Sequence, residues 1–371
     1  MRDTYNSVSA FLAHYQKHFD KSIPKTFRER LWISCHGTGV KWAPLTGLVV
    51  LTLSSLDTIM THTSLLDAGP SLRFVSGIWS CTAASFIWAY ERERTLSMLR
   101  QFSRVAEQVE GGGAGGQPDP EIQETLQRAA RRASRVVRGS EVWGCFVIVS
   151  ILVPVALTGE PANPTWPPPT TRTAWWALFC LHFFSTIFLP IGLFPMTAFI
   201  MSLSNQCAAL NQAVARLIQK ANTPQQVRDA ARLSSELNNA FSMLNSLFHD
   251  YMLHLLQTTL VLPLFAAYET LHGQFDLFLV VTIPINAGIF IPTCFAGQAV
   301  EDTSAAVADA AYNGSWLEGD HYSRVLRLQV MQRASRPQKL TGRQLGVINL
   351  ALCQEALKKW FSFLNFMITT L

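Results

Sequence analysis

Charged side chains are scarce in this chain, and their scarcity excludes an ordinary soluble domain. Only 15% of the 371 residues are charged, whereas 49% are hydrophobic, and soluble domains usually carry about 25% charged residues. The mean hydropathy of +0.18 is nevertheless modest for a protein that crosses a membrane many times. The composition therefore predicts a membrane protein with a large water-facing part.

Paired cysteines, a leader segment and a phosphate-binding loop are also missing. None of the seven cysteines belongs to a Cys-x-x-Cys pair, so we expect neither a disulfide framework nor a structural zinc site. The first 30 residues contain no apolar leader, and we expect the first crossing to direct membrane insertion. The glycine-rich Gly111–Gly116 is not followed by Gly-Lys-Ser/Thr, which argues against a nucleotide-binding loop.

Arrangements that carry catalysis do not stand out. His249, Asp250 and His254 are spaced so that the two imidazoles point to different faces of a helix, whereas metal ligation favours a spacing of four residues. His182 is isolated among phenylalanines and resembles a satisfied core or pocket residue. We find no Ser/His/Asp set and no paired carboxylates, so we expect no enzyme, no metal site and no cofactor.

Basic residues, by contrast, are sorted along the chain. Of the 30 Lys and Arg residues, 25 lie in four blocks at residues 1–30, 91–140, 202–250 and 300–343. Membrane proteins keep such residues in cytoplasmic loops, and we interpret the net charge of +5 in this way. The sorting predicts an amino terminus inside the cell, an odd number of crossings and a carboxyl terminus outside. It assigns Arg73 and Arg172 to outside connections.

Seven apolar segments have the length of about 20 residues that a helix needs to cross the bilayer. They lie at residues 32–60, 70–90, 141–158, 174–201, 251–271, 276–299 and 344–371. The sequence therefore predicts an all-α membrane protein with seven transmembrane helices. Its regions are a cytoplasmic segment at 1–31, six crossings at 32–299 with cytoplasmic connections at 91–140 and 202–250, cytoplasmic helices at 300–343 and a last crossing at 344–371.

The inside connections are predicted to be packed helices. Leu203, Leu210 and Val214 recur at helical spacing, as do Leu237 and Leu244, and one apolar stripe per helix indicates a compact cytoplasmic bundle. An earlier inside helix is strongly basic, with arginines at positions 128, 131, 132, 135 and 138 and no interleaved aromatic residue. We expect a solvated or lipid-headgroup-facing side there, and no nucleic-acid partner.

The last helix carries a polar stripe. Its polar residues step by three or four positions and are Glu355, Lys358, Ser362, Asn365 and Thr369. Lipid does not tolerate such a stripe, so it either lines a pore built from several subunits or forms a polar seam inside one subunit. For the first case we assign the pore to Lys358, Ser362, Asn365, Phe366 and Thr369.

The outward halves of the crossings are the predicted ligand region, because apolar walls suit a small hydrophobic molecule held by dispersion and burial. The candidate residues are Phe74, Val75, Ile78, Trp79, Ile148, Val149, Leu152, Phe179, Phe183, Phe184, Ile187, Thr259, Leu260 and Leu264.

Ordered motifs occupy the final third of the chain. They are Ala-Tyr-x-x-x-Trp at Ala311–Trp316, Met-x-Arg-x-x-x-Pro within Leu328–Pro337, Leu-Thr-Gly at Leu340–Gly342 and a serine-bearing helix at Lys359–Leu364. In these motifs and their order the chain resembles the insect odorant receptor family.

That resemblance implies a ligand-gated cation channel in which four subunits surround a pore lined by the last helix. Cytoplasmic anchor helices, here within 300–343, would hold the subunits together. Odorant-tuning members pair with a shared co-receptor, and a small hydrophobic odorant binds among crossings two to six. The implied location is the plasma membrane of sensory neurons.

One departure from the family concerns the gate. The co-receptor has an aliphatic gate, whereas the matching positions here are Asn365 and Thr369, so we expect this chain to depend on co-receptor subunits to close the pore. Two alternatives are a G-protein-coupled receptor and a small-molecule transporter. The chain lacks the Asp/Glu-Arg-Tyr and Asn-Pro-x-x-Tyr motifs of the former, and it lacks the similar halves of the latter.

Overall fold

The computed structural model describes most of the chain with its side chains. The described residues are 5, 7–20, 43–61, 65–112, 119–158, 166–271, 273, 280, 282, 284, 286–316 and 319–370. The start of the first predicted crossing, residues 32–42, and most of the outward part of the sixth lie outside them.

The described chain is almost entirely helical, which confirms the predicted fold class. Its helices are α1 (Val8–Phe19), α2 (Ala43–Thr61), α3 (Leu65–Tyr90), α4 (Arg92–Glu110), α5 (Pro120–Thr158), α6 (Arg172–Lys220), α7 (Pro224–Leu271), α8 (Ile291–Tyr312), α9 (His321–Ala334) and α10 (Leu350–Thr370). A π-helical turn at Asn286–Phe290 leads into α8, and two short antiparallel strands, β1 (Thr341–Gly342) and β2 (Gly346–Val347), precede α10.

Helices α6 and α7 each join a predicted crossing to a cytoplasmic connection without a break. They are 49 and 48 residues long, so each runs for more than ~70 Å at 1.5 Å per residue. The predicted apolar stripes are buried, with Leu203, Leu210 and Val214 on α6 and Leu237 and Leu244 on α7 in one core. Each helix therefore connects predicted ligand residues with the predicted cytoplasmic bundle in one continuous element.

Within the described residues, four helices are long and apolar enough to cross a membrane. These stretches are Pro44–Thr61, Pro120–Val153, Leu193–Lys220 and Pro224–Leu271. The seven crossings and the orientation of the termini stay predictions.

Two sequence-based assignments differ from the structure. Arg73 was assigned to an outside connection, but it lies inside α3 and is buried, because a carboxylate on α7 pairs with it. The last crossing was expected from residue 344, but α10 begins at Leu350. The preceding residues pair as strands, with Thr341 opposite Val347, and the last helix is correspondingly about 10 Å shorter than expected.

Arg327 joins the ends of two helices in the predicted cytoplasmic bundle. Its guanidinium donates to the carbonyl oxygens of Ile218 (3.0 Å) and Ala221 (2.6 Å) at the end of α6, and to that of Ala311 (3.4 Å) at the end of α8. Helix carboxyl termini carry partial negative charge and unpaired carbonyls. Burial lowers the pKa of Arg327, but an arginine starts so high that it stays charged at neutral pH.

The Ala311–Trp316 motif is explained by this arginine. A Cβ atom at Gly314 would stand 2.0 Å from Nη1 of Arg327, so only glycine lets the backbone pass beneath the guanidinium. The next residue, Ser315, donates its hydroxyl to the side-chain oxygen of Asn222 (2.6 Å) between α6 and α7. The motif therefore fastens the end of α8 to the turn between the two longest helices.

Candidate ligand and pore elements

The predicted ligand residues lie on four helices that pack in overlapping pairs. Helix α3 packs against α6 and α7, and α5 packs along α6. By helix, the residues are Phe74, Val75, Ile78 and Trp79 on α3, Ile148, Val149 and Leu152 on α5, Phe179, Phe183, Phe184 and Ile187 on α6, and Thr259, Leu260 and Leu264 on α7. The structure thus brings together neighbouring elements, as a shared ligand region requires.

These side chains divide into a packed group and an uncovered group. Ile78 and Thr259 are buried, and Phe74, Val75 and Leu260 pack against the core. The large uncovered side chains are Trp79 (45% exposed), Val149 (51%), Phe183 (39%) and Phe184 (49%). The side chain of Ile187 lies outside the described residues. The uncovered group is the part of the predicted set that is open to lipid or ligand.

An aromatic ladder runs along one face of α6. Trp175 stacks on Phe179 with ring centroids 5.2 Å apart, and Phe179 stacks on Phe183 at 6.3 Å. These rings follow each other at a spacing of four residues, one turn apart. Phe184 meets Phe183 edge to face at 5.9 Å. The ladder offers a continuous π surface, against which a flat or branched apolar molecule packs by dispersion.

A compact polar cluster connects α3 to α7. The indole N–H of Trp79 donates to Nδ1 of His254 (2.7 Å). Ser80 bonds the His254 carbonyl (2.8 Å) and the hydroxyl of Thr258, and Thr258 donates to the carbonyl of Ser76 (3.2 Å). The cluster fixes the height of α7 against α3 and holds the indole of Trp79 in one orientation.

His182 is a polar group whose importance the sequence analysis missed. It is 2% exposed on α6, and neither ring nitrogen has a hydrogen-bond partner among the described residues. The hydroxyl of Ser185, one turn further on, is in the same state. A buried unpaired polar group is costly and needs an explanation. The only signal in the sequence was a lone histidine within an aromatic run.

A buried ion pair also joins α3 to α7. Nη1 of Arg73 lies 3.2 Å from Oε2 of Glu269, and both side chains are at most 5% exposed. A Cβ atom at Gly69, one turn before Arg73, would meet Oε1 of Glu269 at 3.3 Å. Because Phe74 and Val75 directly follow Arg73, this pair sets the position of the α3 residues in the ligand region.

Helix α7 contacts the last helix through a predicted ligand residue. The indole N–H of Trp360 on α10 donates to the backbone carbonyl of Leu260 (3.1 Å). Pro263 lies three residues further along α7, where a proline removes one helical hydrogen bond and bends the helix. A shift of α7 at Leu260 therefore moves the acceptor of Trp360 on α10, the helix with the polar stripe.

The hairpin before α10 is held between α7 and α8. The Thr341 amide donates to the side-chain oxygen of Asn245 (2.8 Å), and its hydroxyl lies 3.1 Å from Nδ1 of His249. On the other side, a Cβ atom at Gly297 of α8 would stand 2.0 Å from the carbonyl oxygen of Ile348. The chain therefore enters α10 from a fixed point, so that α10 moves as one piece with the bundle.

His249, Asp250 and His254, which are close together in the sequence of α7, have separate partners. His249 faces Thr341, Asp250 lies 3.5 Å from Arg343, and His254 accepts from Trp79. Each contributes to a different contact of α7.

The polar stripe of α10 is exposed. Its predicted pore residues Lys358, Ser362, Asn365, Phe366 and Thr369 all lie uncovered on the surface of the subunit. Glu355 is exposed too and pairs with Lys359 at 2.7 Å. The opposite face, with buried Cys353 and half-buried Trp360, carries the contacts to α7 and α8. The stripe is thus not a seam within the described part of this subunit.

The arrangement described above defines a helical membrane protein in which an apolar aromatic region is linked to α10, a helix with an exposed polar stripe. A profile of the 7tm Odorant receptor family matches residues 65–361. The chain belongs to this odorant receptor family, a family of multi-pass receptors. Among curated proteins, no match to the sequence was found.

Solved structures show the same fold. The insect olfactory receptor OR5 from Machilis hrabei aligns over 97% of this chain and 96% of its own, with a TM-score of 0.78 and 12% identity. The structure of that receptor in complex with eugenol aligns over the same shares with a TM-score of 0.75. At this identity, the likeness concerns the fold, and residue roles rest on this chain's own contacts.

Proposed function

We propose that this odorant receptor is the odorant-binding, tuning subunit of a heteromeric cation channel that detects small hydrophobic volatiles. It assembles with shared co-receptor subunits, as a heterotetramer in the plasma membrane of sensory neurons. The observation that carries the proposal is the exposed stripe Lys358–Thr369 on α10. Polar side chains in a membrane segment need water or polar protein, and further subunits around a water-filled pore provide both.

The ligand is proposed to bind where α3, α5, α6 and α7 meet, beside the aromatic ladder of α6. This region combines uncovered aromatic faces with few polar groups, the usual composition of small-molecule sites. His182 supplies a hydrogen-bonding group for a ligand oxygen. The eugenol complex of the Machilis hrabei receptor supports a small organic ligand for this fold.

Binding is coupled to the pore through α7. Leu260 lies in the ligand region and its carbonyl accepts from Trp360, so two positions of α7 correspond to two positions of α10. An odorant opens the channel only if it binds the open arrangement more tightly. The hairpin at Thr341, fixed to Asn245, keeps the other end of α10 in place.

The stripe also favours a mixed assembly. Four copies of Lys358 around one cation pathway would repel the permeant ions, and Asn365 and Thr369 form a hydrophilic ring where an apolar constriction would close the pore. Fewer copies of this chain, with co-receptor subunits in the other positions, reduce both problems.

The test is to express the chain with and without a co-receptor and to record currents during an odorant panel. We expect odorant-evoked cation current only when both are present. Robust current from this chain alone would contradict the mixed assembly. Odorant responses that persist when ion flux is blocked, together with second-messenger production, would contradict the channel itself.

A further inference from the structure

A second apolar groove lies away from the predicted ligand residues. It has a volume of about 310 Å³ and lies between α5, α6 and the π-helical turn before α8. Its walls include Val136, Gly139 and Trp143 of α5, Phe194 and Met201 of α6, and Pro292. None of the predicted ligand residues lines it. On α5 the groove is 15 or more residues from the helix end near Thr158, which places it toward the arginine-bearing side of the membrane.

The groove opens next to exposed arginines. Arg131, Arg132, Arg135 and Arg138 are all exposed, and the described residues contain no salt bridge to any of them. No acidic residue occurs between positions 125 and 140. Arg132 lies one turn before Val136, about 30° around the helix axis from the centre of the groove, whereas Arg135 is about 90° and Arg138 about 150° away.

Polar groups contribute little to the groove. Its hydroxyls are occupied, because Ser140 donates to the carbonyl of Val137 (2.7 Å) and Thr197 to that of Leu193 (2.9 Å). The indole N–H of Trp143 has no partner among the described residues, but it is shielded from solvent. An occupant therefore needs an apolar body.

We propose that this groove binds the acyl chain of an anionic phospholipid, whose headgroup phosphate is held by Arg132 and Arg135. This one molecule matches two features in their order along α5, namely positive charge at Arg132 and Arg135 and then the apolar wall from Val136 to Trp143. Anionic lipids are concentrated in the cytoplasmic leaflet, the side on which basic residues accumulate. An uncharged volatile would leave the arginines without a role.

The site is relevant to gating because its walls belong to a helix of the predicted ligand region. Phe194 and Met201 belong to α6, the helix of the aromatic ladder, and the groove reaches the π-helical turn at Gly288. π-Helical turns often occur at functional sites. A bound lipid therefore contacts α5, α6 and the π-helical turn together.

Binding is tested on the purified full chain in neutral detergent, titrated with dioleoyl phosphatidylserine or dioleoyl phosphatidylcholine. Native mass spectrometry counts the lipid adducts. We expect retained phosphatidylserine to exceed phosphatidylcholine, and Arg132→Gln to lower phosphatidylserine retention about fivefold, the effect of one basic contact at a membrane surface. The matched control, Arg138→Gln, removes the same charge from the other side of α5 and leaves retention unchanged.

The apolar half of the site has its own pair of variants. A Cβ atom at Gly139 meets no atom within 4 Å, so Gly139→Leu fills the groove, and we expect it to lower retention at least as much as Arg132→Gln. Gly139→Ala gives a smaller loss should leucine disturb folding. Cys145→Leu adds similar bulk on the exposed opposite side of α5 and leaves retention unchanged.

Four results would overturn the proposal. Equal losses for Arg132→Gln and Arg138→Gln indicate diffuse attraction without a site, and unchanged retention in both Gly139 variants leaves the groove unoccupied. Equal retention of the two lipids shows that the site does not select an anionic headgroup. Dimers of the chain that Gly139→Leu abolishes would identify the groove as a contact between copies. None of these results bears on the odorant-gated channel, which is tested separately by current.

Discussion

The two ends of this molecule differ in how their helices are held together. In the predicted cytoplasmic bundle, Gln338 accepts from Asn211 (2.9 Å) and donates to Asn238 (2.6 Å), and Arg327 binds three carbonyls at two helix ends. Toward the other end, His182 and Ser185 are buried without partners in the described residues. Buried atoms without partners in the described residues also occur in the bundle, at Nε of Arg327 and in the side-chain amide of Gln206. The contrast therefore lies between the hydrogen bonds that join separate elements of the bundle and the aromatic surface of the outer helices.

The difference shows which contacts specify the packing of helices and which suit a ligand. Hydrogen bonds between separate elements specify one arrangement, because their members would be left unpaired in another. An aromatic surface with few polar groups accepts many shapes, since dispersion contacts are weakly directional. The bundle thus fixes how its helices pack, whereas the aromatic surface suits apolar molecules of several shapes.

The largest expected effect comes from Arg327, which joins two helix ends in the bundle. Arg327→Met should destabilise the fold by about 4 kcal/mol, because three buried carbonyls lose their donor. We expect a strong loss of folded protein, measured by surface expression and by thermal unfolding in detergent. Arg333→Met is the control, since this exposed arginine donates to the side chains of Ser235 and Asn239 and to no buried carbonyl among the described residues. Equal losses in both variants would show that Arg327 has no special role.

A smaller loss is expected from the buried ion pair of α3 and α7. Glu269→Gln leaves the charge of Arg73 without its carboxylate and should cost about 3 kcal/mol. The double variant Arg73→Met with Glu269→Leu removes both charges and should recover most of the thermal stability. If the double variant is as unstable as Glu269→Gln, packing and not the ion pair holds the two helices together here.

The smallest effect on stability, and the most selective effect on function, is expected in the uncovered region. Phe183→Ala and Trp79→Ala should shift half-maximal odorant concentrations by about tenfold, unequally among ligands, because each removes part of an apolar wall. Surface expression should stay normal. Phe146→Ala, an exposed aromatic of α5 outside the predicted set, should leave the dose–response curves in place. Unmoved curves in both test variants would refute the location of the ligand region.

The sequence predicted those parts of the structure that depend on periodicity. The helical spacing of Leu203, Leu210 and Val214 predicted the buried stripe of α6. The stripe of α10 left a pore lining and a polar seam open, and its exposure in this subunit argues against the seam. The strands at Thr341 and Val347 were not predictable, because two residues have no period. They form where Asn245 of α7 offers a partner, which only the tertiary structure brings near.

Long-range pairings were missed for the same reason. Arg327 lies directly before a recognised motif, but its carbonyl partners are 106 and 109 residues away in the sequence. Arg73 was assigned by charge alone to a connection, and its burial depends on Glu269 of α7. The bond from Trp360 to Leu260 joins a motif residue to a predicted ligand residue, a relation that neither pattern contained.

The most direct test of the account asks whether the stripe of α10 faces a water-filled pore. Asn365→Cys and the opposite-face control Phe363→Cys are introduced after the exposed Cys145 and Cys180 are changed to serine, and each chain is expressed with a co-receptor. A charged thiol reagent applied during odorant should irreversibly change the current in Asn365→Cys and leave Phe363→Cys unaffected. Modification of Phe363→Cys alone, or of neither, would contradict a pore lined by this helix.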